Sequence, residues 1–117
     1  MKILIIEDML RIQEAWKMHL EKHDHTVVQA LTPHEAIDLF EENPDVDIIV
    51  LDGCIGPLFN CLPVLREIRE TFKGPIIAAS SDAHFRQTMV QAGCSHECEK
   101  EQVLSLIKAI SEGRIAA

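Results

Sequence analysis

The pattern of apolar and polar positions changes period repeatedly along the chain. Short apolar runs rich in β-branched residues are bounded by polar groups, which is typical of strands buried on both faces of a sheet. The segments between them place apolar residues three and four positions apart, as amphipathic helices do. The predicted strands are 2–6, 26–30, 48–51, 76–79 and 95–98. The predicted helices are 9–22, 33–42, 61–72, 83–92 and 102–111.

This alternation predicts an α/β fold. Short links between alternating strands and helices lead to right-handed crossovers, which place helices on both faces of one parallel sheet. The expected architecture is therefore a doubly wound, three-layer (βα)5 sandwich around a parallel five-stranded sheet. A chain of 117 residues with 47% hydrophobic content fits one domain, 1–117. The clearest helix start is Thr32-Pro33-His34-Glu35, with Thr32 as N-cap and Pro33 at the first helical position.

Composition and charge exclude several classes of protein. Nineteen acidic residues against eleven basic ones give a net charge of −8, so the domain by itself should not bind nucleic acid or an anionic membrane surface. The sequence has no apolar run long enough to span a bilayer and no signal-peptide start, so we expect a cytoplasmic protein. Four cysteines without C-x-x-C spacing are expected to be reduced thiols: Cys54, Cys61, Cys94 and Cys98.

Polar side chains mark the ends of the predicted strands. Glu7 and Asp8 follow the first strand, Asp52 the third, Ser80 the fourth and Lys100 the fifth. Parallel sheets of this kind bind ligands at the edge where these strands end. Three carboxylates brought together there repel one another, so they must hold protons or recruit a cation, and an oxygen-only donor set suits Mg²⁺. An ammonium and a hydroxyl at the rim suit phosphoryl oxygens, which places Asp52 as a nucleophile for phosphoryl transfer.

Four stretches of the chain carry a family resemblance. They are Ile5-Ile6-Glu7-Asp8, Ile48-Ile49-Val50-Leu51-Asp52, Pro75-Ile76-Ile77-Ala78-Ala79-Ser80, and Ala92-Gly93 followed by Lys100. With these residues in this order, the chain resembles the receiver domain of two-component response regulators over essentially its whole length. The resemblance implies a flavodoxin-like fold with strand order 2-1-3-4-5.

The resemblance also implies roles for the residues at the strand ends. Asp52 would be the phosphoacceptor, and Ser80 and Lys100 would contact the phosphoryl group. The cofactor would be Mg²⁺, bound directly by Asp8 with Glu7 assisting. The implied metal ligands are Glu7, Asp8, Asp52 and the backbone carbonyl of Cys54.

The same resemblance implies a signalling module in a phosphorelay and not an enzyme. A sensor histidine kinase or a histidine phosphotransfer protein would donate the phosphoryl group from a phosphohistidine. A downstream effector domain or protein would respond to the resulting conformational change. A second copy of the chain, bound through the fourth and fifth helices, is a further partner to be expected.

Several positions depart from the family pattern. Glu97 occupies the position where a Tyr or Phe commonly acts as a conformational switch, and the chain contains no Tyr. Ile55-Gly56-Pro57 replaces the usual Met-Pro after the acceptor, and Glu101 replaces the proline that usually follows the lysine. Any response is therefore expected in the segment 81–94 and the last helix, without rotation of an aromatic ring.

Other functions remain as alternatives. One is a module that binds proteins without phosphorylation, or that serves only as a phosphate sink. An α/β phosphohydrolase would need a second aspartate at the position of Cys54, and a nucleotide-binding domain would need a glycine-rich first turn. A zinc or redox switch would use Cys94, His96 and Cys98 on one face of a strand, although small buried cysteines are the simpler interpretation.

Overall fold

A computed structural model describes residues 1–52 and 61–117. Within these ranges, five strands alternate with five α-helices, and a 3-10 helix, Lys100–Gln102, precedes the last of them. The strands are Lys2–Ile6 (β1), Thr26–Ala30 (β2), Ile48–Asp52 (β3), Ile76–Ala79 (β4) and His96–Cys98 (β5). The helices are Leu10–Lys22 (α1), Pro33–Glu42 (α2), Cys61–Arg69 (α3), Ala83–Gln91 (α4) and Val103–Ser111 (α5).

The strands form one parallel sheet in the order β2-β1-β3-β4-β5, which confirms the predicted topology. Ile6 pairs with Leu51, and Asp52 pairs with Ala79. The three central strands therefore end at nearly the same level, and the residues that follow them meet at one edge.

The described residues bury two hydrophobic clusters, one on each face of the sheet. Alternate strand residues point to opposite faces, so each of the first four strands contributes to both clusters, while β5 contributes Cys98 to one of them. One cluster packs under α1 and α5, with Trp16 and Ile107 among its members. The other packs under α2, α3 and α4, with Leu65 and Met89 among its members. This arrangement is the predicted three-layer sandwich.

Some helix ends lie where the sequence predicted them, and others do not. The hydroxyl of Thr32 accepts a hydrogen bond from the backbone N–H of Glu35 at 3.1 Å, as the predicted N-cap requires. The third helix was predicted to reach residue 72 but ends at Arg69. The N–H groups of Glu70 and Thr71 bond three residues back, which closes the helix in a tighter turn.

The cysteines correct one expectation and exclude one alternative. Cys94 packs in the cluster under α4 and Cys98 in the cluster under α5, so they lie on opposite sides of the sheet. The zinc or redox switch with Cys94, His96 and Cys98 on one face is wrong, because β5 begins at His96 and Cys94 precedes the strand. Both are free thiols, and burial raises the pKa of Cys94 to about 12 and that of Cys98 to about 11. Cys61 is disulfide-bonded, contrary to the expected reduced thiol.

The helices of the described residues are all too short or too polar to cross a bilayer.

Candidate functional site

Two buried carboxyl groups lie side by side where β1 and β3 end. Glu7 follows Ile6, the partner of Leu51, and so reaches the level of Asp52; both side chains are fully buried. Glu7 is held in place because its Oε1 accepts a hydrogen bond from the N–H of Met9 at 2.9 Å. Asp8, the third predicted acid, is exposed beside them. Asp52 is itself the last residue of β3, one position later than the predicted strand end.

Lys100 brings a cation to these acids. Its Nζ lies 3.0 Å from Oδ1 of Asp52 and 3.7 Å from Oε2 of Glu7. The side chain is 29% exposed, so it reaches from the rim into the buried pair. A capping box formed by Glu99 and Gln102 fixes the 3-10 turn that carries it. The structure thus brings Lys100 to Asp52, as the sequence predicted.

Burial dominates the electrostatics of this group. Removal from water, together with the neighbouring Asp52, raises the pKa of Glu7 to about 8. Burial also raises the pKa of Asp52, although Glu7 and Lys100 oppose the shift. Burial by itself would lower the pKa of Lys100, but the charges of Asp52, Glu7 and Asp8 outweigh it and raise that pKa. The pair of carboxyl groups therefore favours a bound proton or cation over two bare negative charges.

Ser80 lies at the same edge of the sheet. It follows Ala79, the partner of Asp52, and is buried. Its N–H donates to the carbonyl of Cys98 at 3.2 Å, and its hydroxyl accepts from the N–H of Asp82 at 3.0 Å. A serine hydroxyl that accepts one hydrogen bond can still donate its own proton to a nearby oxygen.

Two residues near the site were not predicted. Gln13 is a fully buried amide on α1 whose Nε2 lies 2.9 Å from the carbonyls of Ile5 and Ala30 and 3.2 Å from that of Glu7. The sequence did offer a signal for Gln13, because it stands three positions before Trp16 on the buried face of the helix. Arg86 has no such local signal, because its partner Glu97 is eleven positions away.

Arg86 links α4 to β5 and to Ser80. Its Nε donates to Oε1 of Glu97 at 3.1 Å, and its Nη1 donates to the carbonyl of Ser80 at 2.6 Å. Glu97 stays 46% exposed, so its carboxylate is paired with Arg86 at the surface.

The residues present fit a hard divalent cation. Glu7, Asp8 and Asp52 offer oxygen donors, and Mg²⁺ commonly takes one or two carboxylates and keeps several waters. The described residues contain no group of three acidic, histidine or cysteine side chains able to hold a metal by themselves, so waters and a substrate oxygen would have to complete the shell. The predicted ligand Cys54 lies outside the described residues.

The chain matches a known family and known folds over most of its length. A family model described as the response regulator receiver domain matches residues 3–111. The chain is similar in fold to a two-component response regulator from Clostridium difficile, with a TM-score of 0.82 and 23% identity over 95% of each chain. The BeF3-activated N-terminal receiver domain of RstA from Klebsiella pneumoniae gives a TM-score of 0.79 at 20% identity, over 92% of this chain and 96% of that one.

A third similar structure contains a partner. It is the co-crystal structure of the Saccharomyces cerevisiae histidine phosphotransfer protein Ypd1 with the receiver domain of its downstream response regulator Ssk1. The TM-score is 0.77 at 21% identity, over 96% of this chain and 87% of that one. At these identities the solved structures establish the fold, while the family model establishes membership.

Proposed function

The chain belongs to the response regulator receiver domain family, and from this premise we propose that it accepts a phosphoryl group on Asp52. Receiver domains are signalling modules, generally not classed as enzymes, and typically bind Mg²⁺ in an acidic pocket. The observation that carries the proposal is the ammonium of Lys100 at 3.0 Å from the buried carboxylate of Asp52, at the end of the central strand. A buried carboxylate beside an ammonium is suited to accept a phosphoryl group, because the ammonium balances the negative charge that the group adds.

The transfer would proceed by direct displacement at phosphorus. An oxygen of Asp52 attacks the phosphorus of a phosphohistidine, the P–N bond breaks, and its electron pair stays on the donor imidazole, which takes up a proton. Lys100 and the hydroxyl of Ser80 bind oxygens of the transferred group. Mg²⁺, held by Glu7, Asp8 and Asp52, would neutralise negative charge on the phosphoryl oxygens.

The proposal includes partners and a location. The donor would be a sensor histidine kinase or a histidine phosphotransfer protein, like the one that is bound to a receiver domain in the yeast complex. A downstream effector domain or protein would receive the signal in the cytoplasm. A homodimer through α4 and α5 is part of the same proposal.

Intact-mass measurement with acetyl phosphate and Mg²⁺ tests the phosphoacceptor directly. We expect the mass of one phosphoryl group to appear on the wild-type chain and not on Asp52→Asn. Asp38→Asn is the matched control, because Asp38 is a largely exposed carboxylate on α2 paired with His34. Uptake that persists in Asp52→Asn, or that is absent from the wild type, would contradict the proposal.

Removal of the metal is a second, independent test of phosphoryl uptake. Chelation of Mg²⁺, or the substitution Asp8→Asn, should abolish uptake, since the negative charge that gathers around phosphorus would no longer be neutralised. The chelated protein should recover uptake when Mg²⁺ is restored in excess.

A further inference from the structure

Arg86 connects the candidate site to the outer surface of the fold. It lies in the first turn of α4, and its side chain is only 15% exposed. One guanidinium nitrogen donates to the carbonyl of Ser80 at 2.6 Å, and another donates to Glu97 at 3.1 Å. A single planar group therefore contacts the end of β4 and the side chain of a residue on β5.

Ser80 is attached to its surroundings at three points. Its N–H bonds to Cys98 on β5, its hydroxyl to the N–H of Asp82, and its carbonyl to Arg86. Asp82 is also the N-cap of α4, where its Oδ1 accepts from the N–H of His84 at 2.9 Å. The position of Ser80 is thus shared with the start of α4 and with β5. The contact to Arg86 is charge-assisted, which makes it stronger than a bond between neutral groups.

We propose that Arg86 is a positioning residue that couples Ser80 to Glu97. It holds Ser80 where the hydroxyl can reach a phosphoryl group on Asp52, and it passes any displacement of Ser80 to Glu97. The guanidinium is a rigid fork, so movement of the carbonyl at one nitrogen must shift or break the contact at the other. The inference rests on the proposed function, because it assigns to Arg86 a part in the response to phosphorylation.

The pair also explains how a carboxylate is accommodated at position 97. An acid there can stabilise a position of Arg86 through a charged acceptor, whereas a Phe side chain would offer no acceptor to the Nε that now bonds Glu97 and a Tyr would offer only a neutral one. The partly exposed Glu97 then carries the change to the surface formed by α4 and β5.

Hydrogen exchange with and without beryllofluoride and Mg²⁺ tests the coupling, because beryllofluoride on a carboxylate imitates a phosphoryl group. We expect the wild type to change its exchange in the first turn of α4 and in β5. Arg86→Ala should lose most of this change. Arg86→Lys should lose part of it, since one ammonium does not match the two-pronged contact. Glu97→Ala should lose the change in β5 while α4 still responds.

A matched control separates coupling from general loss of an ion pair. Arg114→Ala removes an arginine that pairs with Glu112 at 2.9 Å on the exposed C-terminal segment. This variant should keep the wild-type exchange response and phosphoryl uptake. Melting temperatures of all variants are measured in parallel, because a merely structural role for Arg86 would lower the melting temperature and leave the response intact.

The outcomes distinguish this inference from the proposed function. If the wild type takes up no phosphoryl group by mass, the proposed function fails. If it takes up the group and Arg86→Ala and Glu97→Ala both respond like the wild type, only the coupling is refuted. Should Arg86→Ala fail to fold, the lysine variant and Glu97→Ala decide the question, and an undiminished response in both overturns the proposal.

Discussion

Lys100 lies beside the carboxylates that would bind a metal, so its ammonium and the metal would compete for the same negative charge. Its ammonium lies 3.0 Å from Asp52 and 3.7 Å from Glu7, two of the proposed ligands of Mg²⁺. Without metal it compensates the buried acids, and with metal it is repelled by a second cation. The same side chain would then be available for the phosphoryl group. One residue thereby stabilises the metal-free site and competes with the cation that the reaction requires.

We therefore predict that Lys100→Ala binds Mg²⁺ more tightly than the wild type. Unit charges about 4 Å apart near a protein surface interact by roughly 1 to 4 kcal/mol, so the gain should be about tenfold in affinity. Calorimetric titration with Mg²⁺ measures it. Lys2→Ala is the control, because Lys2 begins β1, at the opposite end of the strand from the site, and pairs there with Asp45. The Mg²⁺ affinity of Lys2→Ala should equal that of the wild type. Weaker binding by Lys100→Ala would show that the ammonium supports the metal site.

His25 gives a prediction for pH at the same scale. Burial lowers the pKa of His25 below its ordinary value of 6.5. The unfolded chain therefore takes up a proton at His25 before the folded chain does, so this contribution to stability is complete above pH 6.5 and declines as the pH falls below it. His25→Asn should make the free energy of unfolding, measured with urea, less sensitive to a fall in pH below 6.5.

The control for His25 is another histidine of the chain. His34→Asn removes a 91% exposed ring on α2 and is measured under the same conditions, as the comparison for loss of a histidine at the surface. An equally steep loss of stability in His25→Asn and the wild type would refute the assignment.

At the scale of elements, Gln13 ties α1 to two strands. Its amide nitrogen lies within hydrogen-bonding distance of carbonyls from the end of β1, from Glu7 and from the end of β2. These contacts fix the turn that presents Glu7 to Asp52. The helix thus orients part of the acid cluster without contributing a carboxylate of its own.

Replacement of this amide should destabilise the fold. Gln13→Met preserves the size of the side chain but removes the donor, which we expect to cost about 1 to 3 kcal/mol of unfolding free energy. Gln13→Glu should cost more, because it turns a carboxylate toward carbonyl oxygens. Urea unfolding measures both. Gln29→Met, which loses only a 3.4 Å surface contact to Glu14, should stay within about 0.5 kcal/mol of the wild type. Equal stabilities of Gln13→Met and the wild type would contradict this role.

The elements also show what the sequence could and could not predict. The strands and their common edge follow from apolar runs that end in Glu7, Asp52 and Ser80, a signal confined to a few neighbouring residues. The position of Gln13 on the buried face of α1 could be recognised from the sequence, but its contact with Ala30 and the Arg86–Glu97 pair each join residues more than ten positions apart, and no local pattern indicates them. The opposite placement of Cys94 and Cys98 depended on where β5 begins, and a shift of one residue reverses a face.

At the scale of the whole molecule, the sheet concentrates acids that the unfolded chain keeps apart. Glu7 and Asp52 are fully buried side by side only because β1 and β3 are neighbours with matched ends. The fold therefore places mutually repelling carboxylates at one edge of the sheet. A bound proton, the ammonium of Lys100 or a metal cation must offset their negative charge. A metal that binds the folded chain alone must then stabilise it by mass action.

We predict that Mg²⁺ raises the melting temperature of the wild type. At a concentration of about ten times its Kd, the ion should add about 1.4 kcal/mol to the unfolding free energy. For a domain of this size that corresponds to a rise of roughly 5 °C. Thermal unfolding is followed in millimolar MgCl2 and in KCl of equal ionic strength, because general screening of the net charge of −8 must be separated from binding. Asp8→Asn should lose most of the Mg²⁺-specific rise, whereas Asp38→Asn should keep it. A melting temperature that moves equally in both salts would show that the acid cluster does not bind the metal in the folded protein.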